Sequence, residues 1–556
     1  MKKYIFSTYL YLRVMIVVAA ILLSTQSCED FLEEKVVSLI GNDYIATAQG
    51  FQDASNAMYQ GLRKFYGSEL GMTMTEMGTD TYTNGADGSY KYYNQYTSQL
   101  DPRDNWITVL WTEFYKSINT ANAVIERGAS VTGIPAATVA LRVAEAKALR
   151  AHYYFVLTEF MGGVDLRLTE TDGPETAITR ASEEQMYTQI IIDLEEALKD
   201  LPNSSAQWGR YTKLAVENLL AKVHLTRAYR PFGSAADFTK AETYGKNVIN
   251  NYGKKLLTDY GQLWVLGNDE HSEAIFSVQY SYDLLSSGGD GNRFHLYYLM
   301  EYDTQPGMSR VLEVGRPWKR LRPTNYTYNE VMVNRSVDSR YDKSFVKVFL
   351  ATKAGTFNTS LDQSKPKITV KVGDTCIYMP GYEMDAAERA TKPYQVFTPS
   401  MYQERHFGCL SKFLDPKRAS INEEKGGRDF MVSRLADTYL MVAEALIKQN
   451  KNADAVPFIN AVRQRAAYPG KQAEMAITAD QANMTMIYDE RARELLGEMH
   501  RWFDLKRWGN LVERVKKYNL EGKDGVKDIH VYRPIPQIQI DRVEGGNSSF
   551  PQNPGY

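Results

Sequence analysis

Arg434-Leu-Ala-Asp-Thr-Tyr-Leu-Met-Val-Ala-Glu-Ala-Leu-Ile-Lys448 reads as one amphipathic helix, Asn450 to Asn452 as a turn, and residues 453–467 as a helix running back. From Arg434 to Ala467 the hairpin takes 34 residues, the length of one tetratricopeptide unit. Consensus residues of that repeat are poorly matched, so the expectation is the geometry of stacked helix pairs without a regular solenoid. A single pair cannot bury its apolar stripe alone and needs neighbours on both sides of the chain.

Those neighbours are legible outward from the hairpin. Toward the C-terminus, Thr478 with Gln481 forms a capping box that predicts a long helix through about Lys517. Toward the N-terminus, residues 212–229 and 237–251 are helical and meet at a Pro231-Phe232-Gly233 turn. Ser182 with Gln185 caps another helix ending near Leu201 and Pro202. In 136–161, Ala140, Ala144, Ala148 and Ala151 make a narrow ridge that admits a close helix partner. Residues 105–127 and 44–66 repeat the 3-and-4 spacing, the latter through Phe51, Ala54, Met58, Gly61, Leu62 and Phe65. Between the helical blocks, residues 274–430 read as a loop-rich insertion. It has a β-like run from Ala274 to Tyr282, a Gly-rich turn at Ser286–Asn292, and alternating Ile368, Val370 and Val372 within 365–379. Loops that long in a compact domain are usually functional.

Composition narrows the class. Among 556 residues, 65 Lys+Arg against 67 Asp+Glu leave a formal charge of −2, which excludes a basic nucleic-acid binder as the default. With 44% apolar and 24% charged residues the chain is neither disordered nor polytopic. Three cysteines exclude a disulfide-framed fold, and Cys376 with Cys409 are left without a readable pairing. The first residues are different in kind: Lys2, Lys3 and Arg13 precede an apolar run from Val14 to Leu23, too short to span a bilayer, which needs roughly 20 residues. Residues 1–27 therefore read as an export signal, with Cys28 placed for lipid attachment. Removing them leaves a mature charge of −5.

Catalytic templates are absent: no His-Glu-x-x-His, Gly-x-Ser-x-Gly, Walker loop or Cys-x-x-Cys occurs. No cofactor or metal site is expected, because the EF-hand-like start at Asp80, Tyr82, Asn84 and Gly85 ends on Lys91 where an acid is required. The densest polar cluster runs from Asp489 to Arg507. Its carboxylates Glu490, Glu494 and Asp504, with His500, could be acid and base partners in a hydrolase. The favoured reading pairs Glu490 with Arg493, Glu494 with Arg501 and Asp504 with Arg507, with Leu495, Trp502 and Trp508 buried.

Six stretches carry a family resemblance: Cys28-Glu-Asp-Phe-Leu32, Arg322-Pro-Thr324, Arg434 to Glu444, Glu490 to Gly509, Arg533-Pro-Ile-Pro536 and Gln552-Asn-Pro-Gly-Tyr556. Lying in order along the mature chain, they resemble the SusD/RagB family of surface lipoproteins. The resemblance implies a mostly α-helical fold of about four tetratricopeptide-like pairs with an irregular insertion and short β segments. It also implies a lipid-anchored protein at the outer-membrane surface of Bacteroidota. Such a protein caps a SusC-like, TonB-dependent transporter and captures glycan, or peptide in the RagB branch, without catalysis. The expected layout is a helical region over 28–270 and a second over 271–556, holding the 274–430 insertion and closing helices 434–517, as one globule.

Ligand residues do not carry over from the resemblance and are read from physics. A sugar offers an apolar face for flat rings and hydroxyls for amide, carboxylate or guanidinium groups. Residues 80–96 hold five tyrosines (82, 90, 92, 93 and 96), where the chain average would place about one. The expected platform is Tyr82, Tyr92, Tyr93 and Trp318, with Asp80 and Asn84 holding hydroxyls. Tyr282, Tyr297, Tyr298 and Arg316 form a second candidate set with Trp318. Affinity in the range of roughly 1 mM to 1 μM, about 4 to 8 kcal/mol, suits a handful of stacked rings. A competing reading is a helix-repeat adaptor for another protein, marked by an aliphatic groove instead of tyrosines.

Overall fold

Asp104 opens the helix Asn105–Arg127 by accepting the Ile107 N–H at 3.0 Å, and Gly162, with positive φ, closes the next helix, Ala136–Met161. The capping box of Ser182 and Gln185 starts Glu183–Asp200, and Thr212 caps Lys213–Arg227. Each of these helices packs on the one before it, and Ala235–Asn251 follows in the same series. The stack then crosses the insertion: Ala235–Asn251 lies against Leu435–Lys448, which folds back on Asn452–Arg465. This serial packing is what a row of helix pairs requires. Ala144, Ala148 and Ala151 are buried in it, as the narrow ridge demands.

The computed structural model describes residues 42–171 and 173–556. The export signal and the lipidation residue Cys28 lie outside the described residues. Among those described, no helix is long and apolar enough to cross a membrane.

Two expected helices are broken. The 44–66 segment forms the end of Asn42–Ile45, then Ala48–Ala57 and Gln60–Phe65; Thr47 caps the second of these, accepting the Gly50 N–H at 3.1 Å, and the chain turns again at Met58 and Tyr59. Its apolar stripe is nonetheless buried at Phe51, Met58, Leu62 and Phe65. The long helix expected from Thr478 divides into Met484–Glu494, Arg501–Arg507 and Leu511–Tyr518. The Thr478 capping box exists but opens only one 3-10 turn, and Asn483 caps the helix that follows. Gly497 (φ 77°) and Gly509 (φ 72°) take the left-handed conformation that ends a helix.

The insertion hangs between two paired strands, Ala274–Val278 and Phe430–Arg434, which run antiparallel and bring its ends together. A second pair, Tyr82–Asn84 with Leu321–Pro323, ties the tyrosine-rich segment to the insertion. Farther out, Val348–Leu350 pairs with Thr375–Tyr378, and Gly355–Asn358 with Lys367–Val370. These cover a small core of their own, including Met300, Phe349, Ile368 and Phe407. Cys376 and Cys409 both lie in it as free, buried thiols. The principal core runs from Ile45 to Phe550 and draws on both halves of the chain.

Under the helix ends sits the charged cluster. Glu490 pairs with Arg493 at 2.5 Å and Asp504 with Arg507 at 2.8 Å, as the sequence spacing suggests. The third expected pair does not form. Glu494 is held by Arg340 (2.8 Å), Arg434 (2.6 Å) and Arg465, whereas Arg501 forks onto Asp80 with two 2.7 Å bonds. The break at Gly497 separates Glu494 from Arg501, so each finds partners from remote segments. Burial alone would raise the Glu494 carboxyl, but Arg465, Arg434 and Arg340 more than reverse this and hold it at about 2. Leu495 and Trp502 are buried, while Trp508 is only half-buried.

Candidate ligand-binding face

One short strand, Tyr82–Asn84, and one helical turn, Tyr92–Gln95, carry the rings of the 80–96 segment. Over Tyr82–Asn84 all three side chains are buried. Tyr82 is fully enclosed, edge-on to Tyr298 at 5.3 Å, and Tyr298 gives its hydroxyl to the Gly497 carbonyl at 3.1 Å. Asn84 is equally buried, accepting from Asn94 at 2.8 Å, and Asn94 accepts in turn from Asn519 at 2.8 Å. Asp80 is fully buried under Arg501 and Arg514. Tyr93 is fully buried, donates to Asp104 at 2.6 Å and lies beneath the Arg533 guanidinium.

Five expected ligand residues, Asp80, Tyr82, Asn84, Tyr93 and Tyr298, therefore face the core. Their polar atoms are engaged there, except the Tyr82 hydroxyl, which has no partner among the described residues. The two arginines on Asp80 also account for the calcium-like spacing that begins at that residue.

The other three reach the surface. Tyr92 is half-buried and donates to Asp104, whose second oxygen takes the Tyr93 hydroxyl. Its ring is part of an aromatic cluster: Tyr90 lies 6.1 Å from Tyr92 and 4.6 Å from Trp106, in a tilted stack, and all three are partly exposed. Trp106 stands in the first turn of Asn105–Arg127, so the Asp104 cap fixes both the helix start and the ring. Burial, Glu69 and Asp104 raise the Tyr90 hydroxyl above its ordinary range and Arg320 pulls it back.

Arg320 links this cluster to Trp318. Its guanidinium lies 4.8 Å over the indole and pairs with Glu69 at 2.6 Å. Arg316 approaches the same indole at 5.9 Å and pairs with Glu424 at 2.9 Å. Pairing of Leu321–Pro323 with Tyr82–Asn84 continues as the Gly85 N–H donates to the Arg320 carbonyl at 2.9 Å, holding the two segments side by side. Trp318 packs one side toward buried Tyr297, 5.8 Å away, and remains partly exposed. Tyr282, 43% exposed, donates to Asp415 at 2.7 Å. Asp415 begins the loop that carries Glu424, the partner of Arg316.

The face therefore consists of Tyr90, Tyr92, Trp106 and Trp318, bridged by Arg320, with Arg316 and Tyr282 toward one side. Sequence reading had Tyr92, Trp318, Arg316 and Tyr282 in its sets, counted Tyr90 without assigning it, and missed Trp106 and Arg320. The signal for Trp106 is its place in the first turn after the N-cap Asp104.

Two open clefts lie elsewhere, of about 410 Å³ beside Trp111 and Tyr115 and about 350 Å³ beside Tyr326 and Tyr518. In the first, Asn119 is bonded to Thr171 and Arg167 to Asp165, so much of its polar lining is engaged. Neither is an aliphatic groove.

Comparison with known proteins agrees with this architecture. Residues 234–556 match the model of the SusD family, and residues 30–225 match a model described as starch-binding, associating with outer membrane. SusD-like protein P2 of Formosa agariphila is 24% identical over 96% of this chain and 98% of its own. Starch-binding protein SusD of Bacteroides thetaiotaomicron is 24% identical over 74% of this chain and 72% of its own. Among solved structures, a SusD homolog from Bacteroides thetaiotaomicron superposes with a TM-score of 0.73 at 22% identity, covering 93% of this chain and 98% of that one. A laminarin-binding SusD-like protein gives 0.68 at 23% identity, covering 92% and 100%. With its C-terminal 323 residues matched by the family model and its helix stack shared with solved relatives, this chain belongs to the SusD family.

Proposed function

We propose that this protein captures glycan at the Tyr90–Trp106–Trp318 face without altering it, from a lipid anchor on Cys28 at the outer-membrane surface. In this reading it passes the glycan to a SusC-like, TonB-dependent transporter. The single observation that carries the reading is the set of partly exposed rings flanked by guanidinium and carboxylate groups. Flat rings cover the C–H face of a pyranose, and the polar rim meets its hydroxyls. The starch-binding description of the matched N-terminal model, and the laminarin- and starch-binding relatives, support the same ligand class.

Hydrolysis at the Asp489–Arg507 cluster is disfavoured by its geometry. Glu490 and Glu494 are fully buried, and each is bound by several arginines, leaving neither open to a substrate as an acid and base pair. Release into a transporter favours modest affinity, and a few stacked rings supply about that much.

Titration calorimetry with laminari- and malto-oligosaccharides tests the proposal. Binding by the wild type that is lost in Trp318→Ala, with no reducing ends released on long incubation, is the expected result. Binding unchanged in Trp318→Ala contradicts the site, and product formation abolished in Glu490→Gln contradicts the non-catalytic reading.

A further inference from the structure

We infer that the glycan taken on this face is uncharged, an inference that rests on the capture reading above and narrows it. A uronate or sulfate ester is recognised by a guanidinium or ammonium whose charge is available, most strongly by a bidentate arginine. Around these rings most of the cations already have a carboxylate. Arg320 pairs with Glu69 at 2.6 Å and Arg316 with Glu424 at 2.9 Å. Lys319 lies between Asp87 at 3.0 Å and Glu301 at 3.4 Å. Arg405 also reaches Glu301 at 3.0 Å, and Lys91 lies 3.9 Å from Glu404. Arg293 makes no ion pair among the described residues, but its field falls on Glu69, which it shares with Arg320. Lys425 is turned to the Gly289 carbonyl.

Five of these seven cations thus face five carboxylates, Arg293 shares the field of Glu69 and Lys425 is held by a carbonyl, while Asp104 under Tyr92 and Tyr93 adds a sixth acid. An anionic sugar brought against Trp318 would meet Glu69 and Glu424 at close range, and like charges repel there because the groups are only partly exposed to screening water. A paired guanidinium still carries N–H donors that its carboxylate leaves unused. Hydroxyl oxygens can accept those donors with no charge to be balanced. The surroundings of the rings therefore accept polarity and refuse net charge.

A calorimetric panel tests this. The neutral arm is laminari-, malto-, manno- and xylo-oligosaccharides; the anionic arm is oligogalacturonides and sulfated carrageenan oligosaccharides; each is measured at about 20 mM and about 500 mM NaCl, which spans strong and weak screening. The expected result is a neutral ligand whose Kd moves by less than about twofold between the salts, with every anionic ligand at least about tenfold weaker. In Glu424→Gln, which releases Arg316, affinity for oligogalacturonide rises about threefold or more and the gain disappears at high salt. An anionic ligand bound more tightly than any neutral one, salt-sensitive and lost in Trp318→Ala, overturns the inference while leaving the capture site standing. No anionic gain in Glu424→Gln also counts against it. Binding of neither arm removes the capture reading and this inference together.

Discussion

Around Glu494, arginines and glutamates are sealed from water and each carboxylate is shared. Around Trp318, the same residue types stand half in solvent, and most make one pair at a time. The contrast separates two uses of one chemistry. In the interior, desolvation makes an unmatched charge so costly that Glu494 gathers Arg340, Arg434 and Arg465 from three separate segments. The network therefore fixes how the helix stack, the insertion and the closing helices meet. On the face, water screens each pair, the pairs add little to stability, and the guanidinium groups lie over the rings with donors to spare.

The largest expected effect comes from breaking the buried side of this contrast. Glu494→Gln keeps shape but leaves three guanidinium groups short of a charge, and a loss of about 3 to 5 kcal/mol in urea unfolding is expected. A loss below about 1 kcal/mol would mean that the interior network resembles the surface one.

Acid probes the same network without mutation. Glu490, Glu494, Glu498 and Asp80 are all held below their ordinary range. Burial by itself raises such groups, and the arginines paired with them reverse it. Their stabilisation is complete above the unfolded range near pH 4 to 5 and fades as pH falls toward about 2. His152 and His500, lowered by burial to about 3 and about 4, act in the same direction from about pH 6.5 downward. Glu76, raised by burial to about 8, opposes them, since its contribution is fullest in acid and fades as pH climbs. Melting temperature should therefore fall steadily from pH 6 to pH 3; a flat profile would deny that the buried acids are charged.

On the face the order of effects inverts. Trp318→Ala should cost about tenfold or more in ligand affinity by calorimetry while shifting unfolding by about 1 kcal/mol or less. Equal damage to both would make Trp318 a packing residue. Smallest of all, Glu424→Gln should change stability by no more than about 0.5 kcal/mol, because the pair it breaks is roughly one-third exposed on each side.

What could be read in advance follows from the range of the forces involved. The helices 105–127, 136–161 and 183–200 were legible because caps and apolar spacing are local. Gly497 marks the break after Glu494, whereas the capping box at Thr478 and the even charge pattern are equally consistent with one continuous helix. Glu494 with Arg501 failed as a pair because the partners that win, Arg340, Arg434 and Arg465, come from 29 to 154 positions away. Tyrosine density pointed to the right segment of the chain and the wrong faces of it. Strand pairing with Leu321–Pro323 turns Tyr82 inward, and Asp104 draws Tyr93 into the core, leaving Tyr90 and Tyr92 outside. Trp318 and Arg316 are legible together in the irregular insertion; Arg320 joins them only in the folded chain, where its guanidinium lies over the indole.

In this reading, ligand is held by the outward rings and by nothing in the charged interior. The most direct test is calorimetry of the double variant Tyr90→Ala/Trp318→Ala against the wild type, using the best-bound member of the neutral oligosaccharide panel. Binding should vanish while the melting curve stays near that of the wild type; undiminished binding by the folded double variant would place the ligand elsewhere.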